Sequence, residues 1–385
     1  MNSINISDSI KYIGVSTYDI DLFEGQYIVP NGMAYNSYVI LDDKIAVMDT
    51  ADSAVSEQWM SNLKEALNGR TPDYLVVQHL EPDHSGSVMD IVREYPEIKI
   101  VCTAKAKQMM PQFADINPDN IITKAEGDTL ELGSHTLNFV LAPMVHWPEV
   151  MVSYESSEKV LFSADAFGKF GALDADEGWS CEARRYYFNI VGKYGKQVQV
   201  LLKKAAGLDI QTICPLHGPI LTDTIGEVLS LYNTWSAYKP ENEGVFIAYA
   251  SIYGNTAKAA EKMKALLEEK GCPRVAIADL ARDDMAECVE DAFRHSTLLC
   301  MASSYDGGVF TPMNDFLHHL KAKTFQNRRV ALVENGSWAP SAARTMKAEF
   351  EQMKDITLVG DTVTIKTALK DADIQALDRL ADEIK

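Results

Sequence analysis

The sequence predicts two domains of mixed α and β structure, the second of them a doubly wound parallel sheet. Three observations lead there. The chain has 385 residues, more than one ordinary hydrophobic core accommodates. A short polar stretch, Lys239-Pro240-Glu241-Asn242-Glu243-Gly244, has the composition of a linker. From Val245 onward strands and helices alternate strictly, whereas before it short strands and helices are mixed without that rhythm. The boundaries expected are 1–240 for the first domain and 244–385 for the second.

In the first domain, Tyr38–Leu41 and Ile45–Asp49 read as strands around an Asp42-Asp43 turn, and Ser56–Leu67 as an amphipathic helix. Tyr74–Val77 and Val160–Ser163 are short apolar strands, and Glu182–Ala206 and Ile225–Tyr238 carry helical patterns. In the second domain the strands are Val245–Ala250, Arg274–Asp279, Thr297–Ala302 and Arg329–Glu334, with a last one at either Thr357–Val359 or Thr362–Ile365. Helices are expected near Ala257–Lys270, Met285–Phe293, Met313–Lys321, Ser341–Gln352 and Asp371–Ile384. Five strands in about 140 residues fit the smaller doubly wound arrangement.

Composition narrows the function. Hydrophobic residues at 46% against 24% charged describe a globular chain, not a disordered one. A formal net charge of −19 argues against nucleic acid, whose phosphates need a Lys/Arg footprint. It suits small substrates or a partner with a basic patch. Met1–Lys11 shows no apolar run behind a basic start, and no apolar stretch is long enough to span a bilayer. The six cysteines are scattered without a CxxC pair, so reduced thiols in a cytoplasmic, membrane-free setting are expected. They also supply no thiolate cluster for a structural metal.

The strongest chemical signal is His79-Leu80-Glu81-Pro82-Asp83-His84, directly after the strand Tyr74–Val77. A loop at a strand end can turn alternate side chains onto two different ions, whereas a helix would scatter them. Three further segments follow: His146 in Met144-Val145-His146-Trp147-Pro148, Asp165 at a strand end, and His217 in Pro215-Leu216-His217-Gly218-Pro219. Each alone is unremarkable. Together they resemble the ligand series of the metallo-β-lactamase superfamily, an HxxxDH-type loop, a lone His, a bridging Asp and a last His. The resemblance implies His79, Glu81, His146 and Asp165 on one ion, and Asp83, His84, Asp165 and His217 on the other. Zinc hydrolases of that superfamily typically carry His where this chain has Glu81. A carboxylate there adds negative charge and a hard oxygen donor, which favours iron or manganese.

The second signal is Ser251-Ile252-Tyr253-Gly254-Asn255-Thr256, between the strand Val245–Ala250 and a helix. Hydroxyls and backbone N–H groups at a helix start make an anion site. The loop lacks the glycines of GxGxxG and the lysine of GxxxxGK[ST], and it resembles the FMN-phosphate loop of flavodoxins. Two later loops, with Ser303, Ser304, Tyr305, Asp306 and Gly307 and with Asn335, Gly336, Ser337 and Trp338, follow the third and fourth strands. Ligands of doubly wound sheets bind outside the carboxyl ends of the strands, where all three loops sit. Tyr305 or Trp338 is the expected stacking partner of the isoalloxazine.

With both sets in view, the chain resembles the flavodiiron proteins, also called A-type flavoproteins, over essentially its whole length. The match includes Asp21-Leu22-Phe23-Glu24-Gly25-Gln26 and Arg184-Arg185-Tyr186-Tyr187. The resemblance implies an N-terminal metallo-β-lactamase-like αββα sandwich and a C-terminal flavodoxin-like sheet. It implies FMN and two iron ions, bridged by Asp165 and an oxo or hydroxo group. The reaction implied is reduction of dioxygen to water, of nitric oxide to nitrous oxide, or both. Such proteins assemble as head-to-tail homodimers or as homotetramers and take electrons from a rubredoxin or a reduced deazaflavin. The chain carries no CxxC-bearing rubredoxin module, so a separate donor is expected. Tyr187 is the expected proton donor or pocket wall, and the stretch around Leu173–Cys181 is shorter than in many relatives. The competing reading is a zinc-dependent hydrolase with a flavodoxin sensor domain; Glu81 speaks against it.

Overall fold

The structure, a computed structural model, describes residues 6–385. They form two compact units. One runs to Tyr187 and resumes over Lys196–Tyr232; the other comprises Phe188–Gly195 and Asn233–Lys385. The sequence places the division at the linker Lys239–Gly244, whereas the strand of the second unit already begins at Asn242.

The first unit is a sandwich of two sheets. A six-stranded sheet has the order Ile10–Tyr12, Tyr38–Ile40, Ala46–Met48, Tyr74–Val76, Lys99–Thr103, Ile121–Lys124. A five-stranded sheet has the order Thr129–Glu131, Thr136–Leu141, Met151–Glu155, Val160–Phe162, Thr212–Cys214. Their inner faces share one core, in which Tyr38, Met48, Val76 and Val101 of the first sheet meet Phe139, Met151, Phe162 and Cys214 of the second. Fully burying a side chain of this size contributes about 2 kcal/mol, so this apolar layer is what holds the sheets face to face. The helix Ser56–Leu67 buries Trp59, Leu63 and Leu67, spaced four apart on one stripe, and ends at Asn68 in the left-handed conformation. On the outer face of the second sheet, Leu201 and Ala205 of the helix Gly195–Ala205 lie beside Val140, Val152 and Leu161. The unit is therefore a metallo-β-lactamase-like αββα sandwich.

The long helix expected over Glu182–Ala206 is broken. Helix Trp179–Tyr186 widens into a π-helical turn, Tyr187–Val191, tightens through Gly192–Tyr194, and restarts at Gly195. Two glycines, Gly192 and Gly195, weaken the helix where it changes pitch.

In the second unit the parallel strands run Val275–Asp279, Asn242–Ala250, His295–Tyr305, Arg328–Asn335. With the edge position this is the order 2-1-3-4-5 of a flavodoxin-like sheet. The edge corrects the sequence reading: Ile356–Leu358 and Val363–Ile365 are both strands, and both pair with Arg328–Asn335 at successive positions. Gly360, at φ 70°, lies in the turn between them, so one strand position is filled by two short pieces. Helices Asn255–Glu269 and Asp371–Ile384 pack on one face, where Ala259, Met263, Leu377 and Leu380 join Ile247, Met301 and Val333 in a single core.

Candidate dinuclear metal centre and flavin site

The metal candidates come from the carboxyl ends of strands in both sheets of the first unit. His79 and Glu81 follow Tyr74–Val76 in a loop. Asp83 and His84 sit on a one-turn helix, Pro82–Ser85, so the motif expected as a plain loop is half loop and half helical turn. Pro82 at the first position fixes φ and forfeits only an N–H the helix start leaves unpaired. His146 lies between Thr136–Leu141 and Met151–Glu155, Asp165 follows Val160–Phe162, and His217 follows Thr212–Cys214.

These residues converge on two points. Around the first, His79 Nε2 is 3.1 Å from Glu81 Oε2, and His146 Nε2 is 2.9 Å from the same oxygen. Both nitrogens are 3.2 Å from Asp165 Oδ2. Around the second, His84 Nε2 and His217 Nε2 are 3.1 Å apart, and each is 3.2 Å from Asp83 Oδ2. Asp165 turns its other oxygen, Oδ1, to this trio, 3.2 Å from His84 and 3.6 Å from His217. Donors at right angles on a cation about 2.1 Å away are about 3 Å from one another. The observed separations are those of two coordination polyhedra sharing one carboxylate.

The polar atoms agree. Asp83 and Asp165 are buried, yet neither finds a hydrogen-bond donor for either oxygen among the described residues, and His146 Nε2 is likewise unsatisfied. His217 Nδ1 donates to Ala34 O at 2.8 Å, which leaves a lone pair on Nε2 facing His84 Nε2. A cation between the opposed ring nitrogens would satisfy the lone pairs of both. Burial opposes charge on His79, but Asp165, Glu149 and Glu81 hold its imidazole well above the ordinary value. Burial also penalises His146, and Asp165 and Glu81 push it up to about 9. Asp165 itself, despite burial, is held well below the carboxylate range by His79, His146 and His84. The cluster demands positive charge at its centre, and the residues present fit two divalent or trivalent ions.

Several supporting residues have no signature in the sequence. Asp49, buried at φ 53°, accepts from the backbone of Gln78 at 2.8 Å and from its side chain at 2.9 Å, fixing the approach to His79. Asn36 donates to Pro215 O at 2.9 Å and Gly218 O at 2.8 Å, and Tyr38 Oη donates to Pro215 O at 2.7 Å, pinning the His217 loop. Glu149 accepts from His79 Nδ1 at 2.8 Å. Only a negative charge beside a candidate ligand segment, Trp147-Pro148-Glu149, could have pointed to the last.

A cavity of about 430 Å³, lined by residues including Phe23, Glu24, Tyr35, Asp52, Glu81 and Asp83, opens on the cluster. Glu24 at its lip is pushed up to about 7, by loss of water first and by Glu81 next. The aromatic wall against His217 is made by Phe23 at 5.4 Å, Tyr186 at 5.5 Å and Tyr35 at 6.1 Å between ring centroids. The tyrosine beside the metal residues is thus Tyr186. Tyr187, expected in that place, stacks edge-on with Tyr232 at 5.1 Å, because successive helical side chains point about 100° apart.

In the second unit the three expected flavin loops form one rim. Gly254 N donates to Ser251 Oγ at 3.1 Å, and Gly254 at φ 87° turns the chain into the helix Asn255–Glu269. Thr256 Oγ1 and Ser303 Oγ, 2.9 Å apart, join the first loop to the second. A Cβ on Gly336 would stand 3.0 Å from Ser304 Oγ, so the third loop abuts the second. Ile252 is half-buried, whereas Tyr253 and Trp338 are over nine-tenths exposed and Tyr305 about half, leaving ring faces open for stacking. Asp306 and Gly307 form an exposed turn with positive φ. Two of the expected side chains are also engaged within the rim itself. Asn335 exchanges two 2.9 Å hydrogen bonds with Thr367, and Ser304 Oγ accepts from Ser341 N and Ala342 N at the start of helix Ala342–Phe350. The Asn335 amide and the Ser304 oxygen hold the rim together. Ser337 likewise pairs with Thr367, at 2.7 Å.

A sandwich with a two-centre His/carboxylate cluster, followed by a flavodoxin-like sheet with open aromatic loops, defines a di-metal flavoprotein. The ODP family beta lactamase pattern matches residues 33–218. The chain is 29% identical to an uncharacterised protein of Methanocaldococcus jannaschii, over 98% of each. It is 28% identical to the anaerobic nitric oxide reductase flavorubredoxin of Escherichia coli, over 91% of this chain and 75% of that one. Among solved structures, the rubredoxin:oxygen oxidoreductase of Desulfovibrio gigas superposes with a TM-score of 0.91 at 25% identity, covering 100% of this chain and 98% of that one. The flavodiiron protein of Giardia intestinalis shares the fold, with a TM-score of 0.91 at 21% identity, over 99% and 96%. By sequence and fold the chain resembles the flavodiiron proteins. In this chain the residues able to hold metal fall into two groups, His79, Glu81, His146 and Asp165, and Asp83, His84 and His217. No helix among the described residues is long and apolar enough to cross a membrane.

Proposed function

We propose that the chain reduces dioxygen to water, nitric oxide to nitrous oxide, or both, with electrons passing through FMN to the iron pair. The observation that carries this reading is the disposition of Asp165. Its two oxygens face separate His/His/carboxylate trios, which suits one carboxylate bridging two ions. His79, Glu81 and His146 hold one ion, and Asp83, His84 and His217 hold the other. Ser251–Thr256 takes the FMN phosphate, the Ser303–Gly307 and Asn335–Trp338 loops frame the flavin, and Tyr305 or Trp338 stacks on it.

When bound, the iron pair and the flavin supply electrons and a place where two oxygen atoms, or two nitric oxide molecules, sit together. Dioxygen needs four electrons and four protons to give two waters. Two nitric oxide molecules need two of each to give nitrous oxide and one water. The protein's residues serve that chemistry. Phe23, Tyr35 and Tyr186 wall off bulk water on the His217 side. Burial, together with Asp165, Asp83 and Glu81, holds the Tyr186 hydroxyl well above its ordinary value, so it keeps its proton at neutral pH and can donate a hydrogen bond. Glu24, beside the cavity, sits near neutrality, where it can take and release protons.

The relatives support both substrates, the Escherichia coli protein being a nitric oxide reductase and the Desulfovibrio gigas protein a rubredoxin:oxygen oxidoreductase, which also supports a rubredoxin donor. A rubredoxin or a reduced deazaflavin as donor, a cytoplasmic location and a head-to-tail homodimer or homotetramer belong to the same reading. The test is metal and flavin analysis of anaerobically purified protein, followed by rapid mixing of the reduced form with each gas. Two irons and one FMN per chain with fast reoxidation support it, and the faster gas names the substrate. Two zincs and a reduced flavin indifferent to both gases would replace it with the hydrolase.

A further inference from the structure

The two trios are matched in donor type: each has two imidazoles, one carboxylate of its own and half of Asp165. Their surroundings differ. His79 Nδ1 donates to Glu149 Oε1 at 2.8 Å, and the Glu149 side chain is fully buried. Leu80 N donates to the same oxygen at 3.0 Å, and Thr103 Oγ1 holds the Glu149 carbonyl at 2.9 Å, so the carboxylate cannot swing away. Its one ion pair among the described residues is with His79. On the other side, His217 Nδ1 donates to the neutral Ala34 carbonyl, and His84 Nδ1 has no partner among the described residues. The remaining acids nearby make no such bond to a ligand ring. Asp49 is buried and acts on His84 through space, but its hydrogen bonds go to Gln78 and the His79 backbone, and Glu24 and Asp52 line the cavity.

We propose that Glu149 is a positioning residue that makes the iron pair electrically unequal, so that the ion on His79, Glu81 and His146 is bound more tightly and turns ferric first. A buried carboxylate behind a ligating imidazole raises the basicity of its other nitrogen and adds one negative charge at short range. The effect reaches one ion because, among the described residues, only His79 of the four candidate ligand imidazoles leans on a carboxylate through Nδ1. Removal of a single electron from the diferrous pair then leaves the ferric charge at the His79 position and the ferrous ion at the Asp83/His84/His217 position. The inference rests on the reading that these residues hold two metal ions.

Glu149→Gln is a clean probe, because the amide oxygen still accepts from His79 and Leu80 while the charge is gone. The metal-free full-length chain is titrated with cobalt(II) and followed by its visible bands. The unsubstituted chain should fill in two resolved steps. In Glu149→Gln the tighter step should weaken about 10–100-fold with the weaker step unmoved. In the iron-loaded chain, redox titration should show the lower of the two iron potentials rising, a tenfold change being about 59 mV for one electron. Equal movement of both steps, or of neither, would overturn the proposal. If the variant fails to fold, the unsubstituted chain decides by Mössbauer spectroscopy. After one-electron oxidation it should show distinct ferrous and ferric sites, and a delocalised pair would count against the proposal. Two equal cobalt steps sink the asymmetry and leave the reductase standing. A chain that binds no metal pair sinks the reading beneath it.

Discussion

Exchanging Glu81 for histidine would take one negative charge and one hard oxygen from the first trio and leave the geometry of the loop to the backbone around Pro82. Glu81→His protein grown with both metals should therefore retain more zinc and less iron than the unsubstituted chain, as read by elemental analysis. Tyr186 and Tyr187 offer a second residue-scale contrast. Tyr186→Phe should slow reoxidation of the reduced enzyme by roughly tenfold or more, whereas Tyr187→Phe, which alters a ring packed on Tyr232, should leave the rate within about twofold. Stopped-flow traces of the two variants separate these outcomes. At this scale the four donors of His79–His84 stood out because donor-rich loops after apolar strands are rare, whereas His146, Asp165 and His217, unremarkable singly, were picked out only by the resemblance of the whole series. Glu149, Asp49 and Asn36 were not legible, because an acid or amide in a loop looks the same whether it is solvated or clamped onto a ligand. The choice between adjacent tyrosines depended on helix phase, which a change to π-helical pitch at Tyr187 makes unreadable from sequence.

Among the elements, the Pro215–Pro219 turn bears His217 and is held from outside by Asn36 and Tyr38. Gly218 within it adopts φ 78°, and a Cβ there would stand 2.6 Å from Lys169 Cγ. Gly218→Ala should cost about 1–2 kcal/mol of strain and displace His217, so metal analysis should show loss from one position before the other. A second clasp joins the sheets at the turns away from the metal loops. His135 Nδ1 bonds Asp42 at 2.7 Å and His135 Nε2 bonds Glu158 at 3.0 Å. Burial disfavours the imidazolium, but Glu158 and Asp42 overcome that and raise its pKa; Asp42, despite burial, is lowered by His135. The raised imidazole contributes stability that is complete below the unfolded value of about 6.5 and is lost as pH rises through the folded one. The lowered carboxyl contributes above about 3.9 and is lost as pH falls. The melting-temperature deficit of His135→Gln should accordingly be largest near pH 5–6 and shrink toward pH 9. Strand and helix positions in the second unit were readable because a parallel sheet buried on both faces gives continuous apolar runs. The doubled edge strand was not, since two three-residue pieces fall below any periodic signal.

For the molecule as a whole, each unit has its own apolar core and its own candidate cofactor site. Chelating the metals should lower one calorimetric transition and leave FMN bound, and stripping FMN should lower the other. Equal shifts of both transitions under either treatment would contradict that independence. The seven metal residues have a further consequence for how the first unit reaches its finished state. They arrive from four stretches of chain separated by whole strands and helices, between His79 and His217. Two ions at their meeting point act as removable stitches, closing long rings of backbone as a set of disulfides would, but under the control of supply instead of oxidation. A freshly made chain is in effect basted, not sewn, until iron arrives. A protease should distinguish the two garments by cutting the metal-free one first in the turns around His146 and His217.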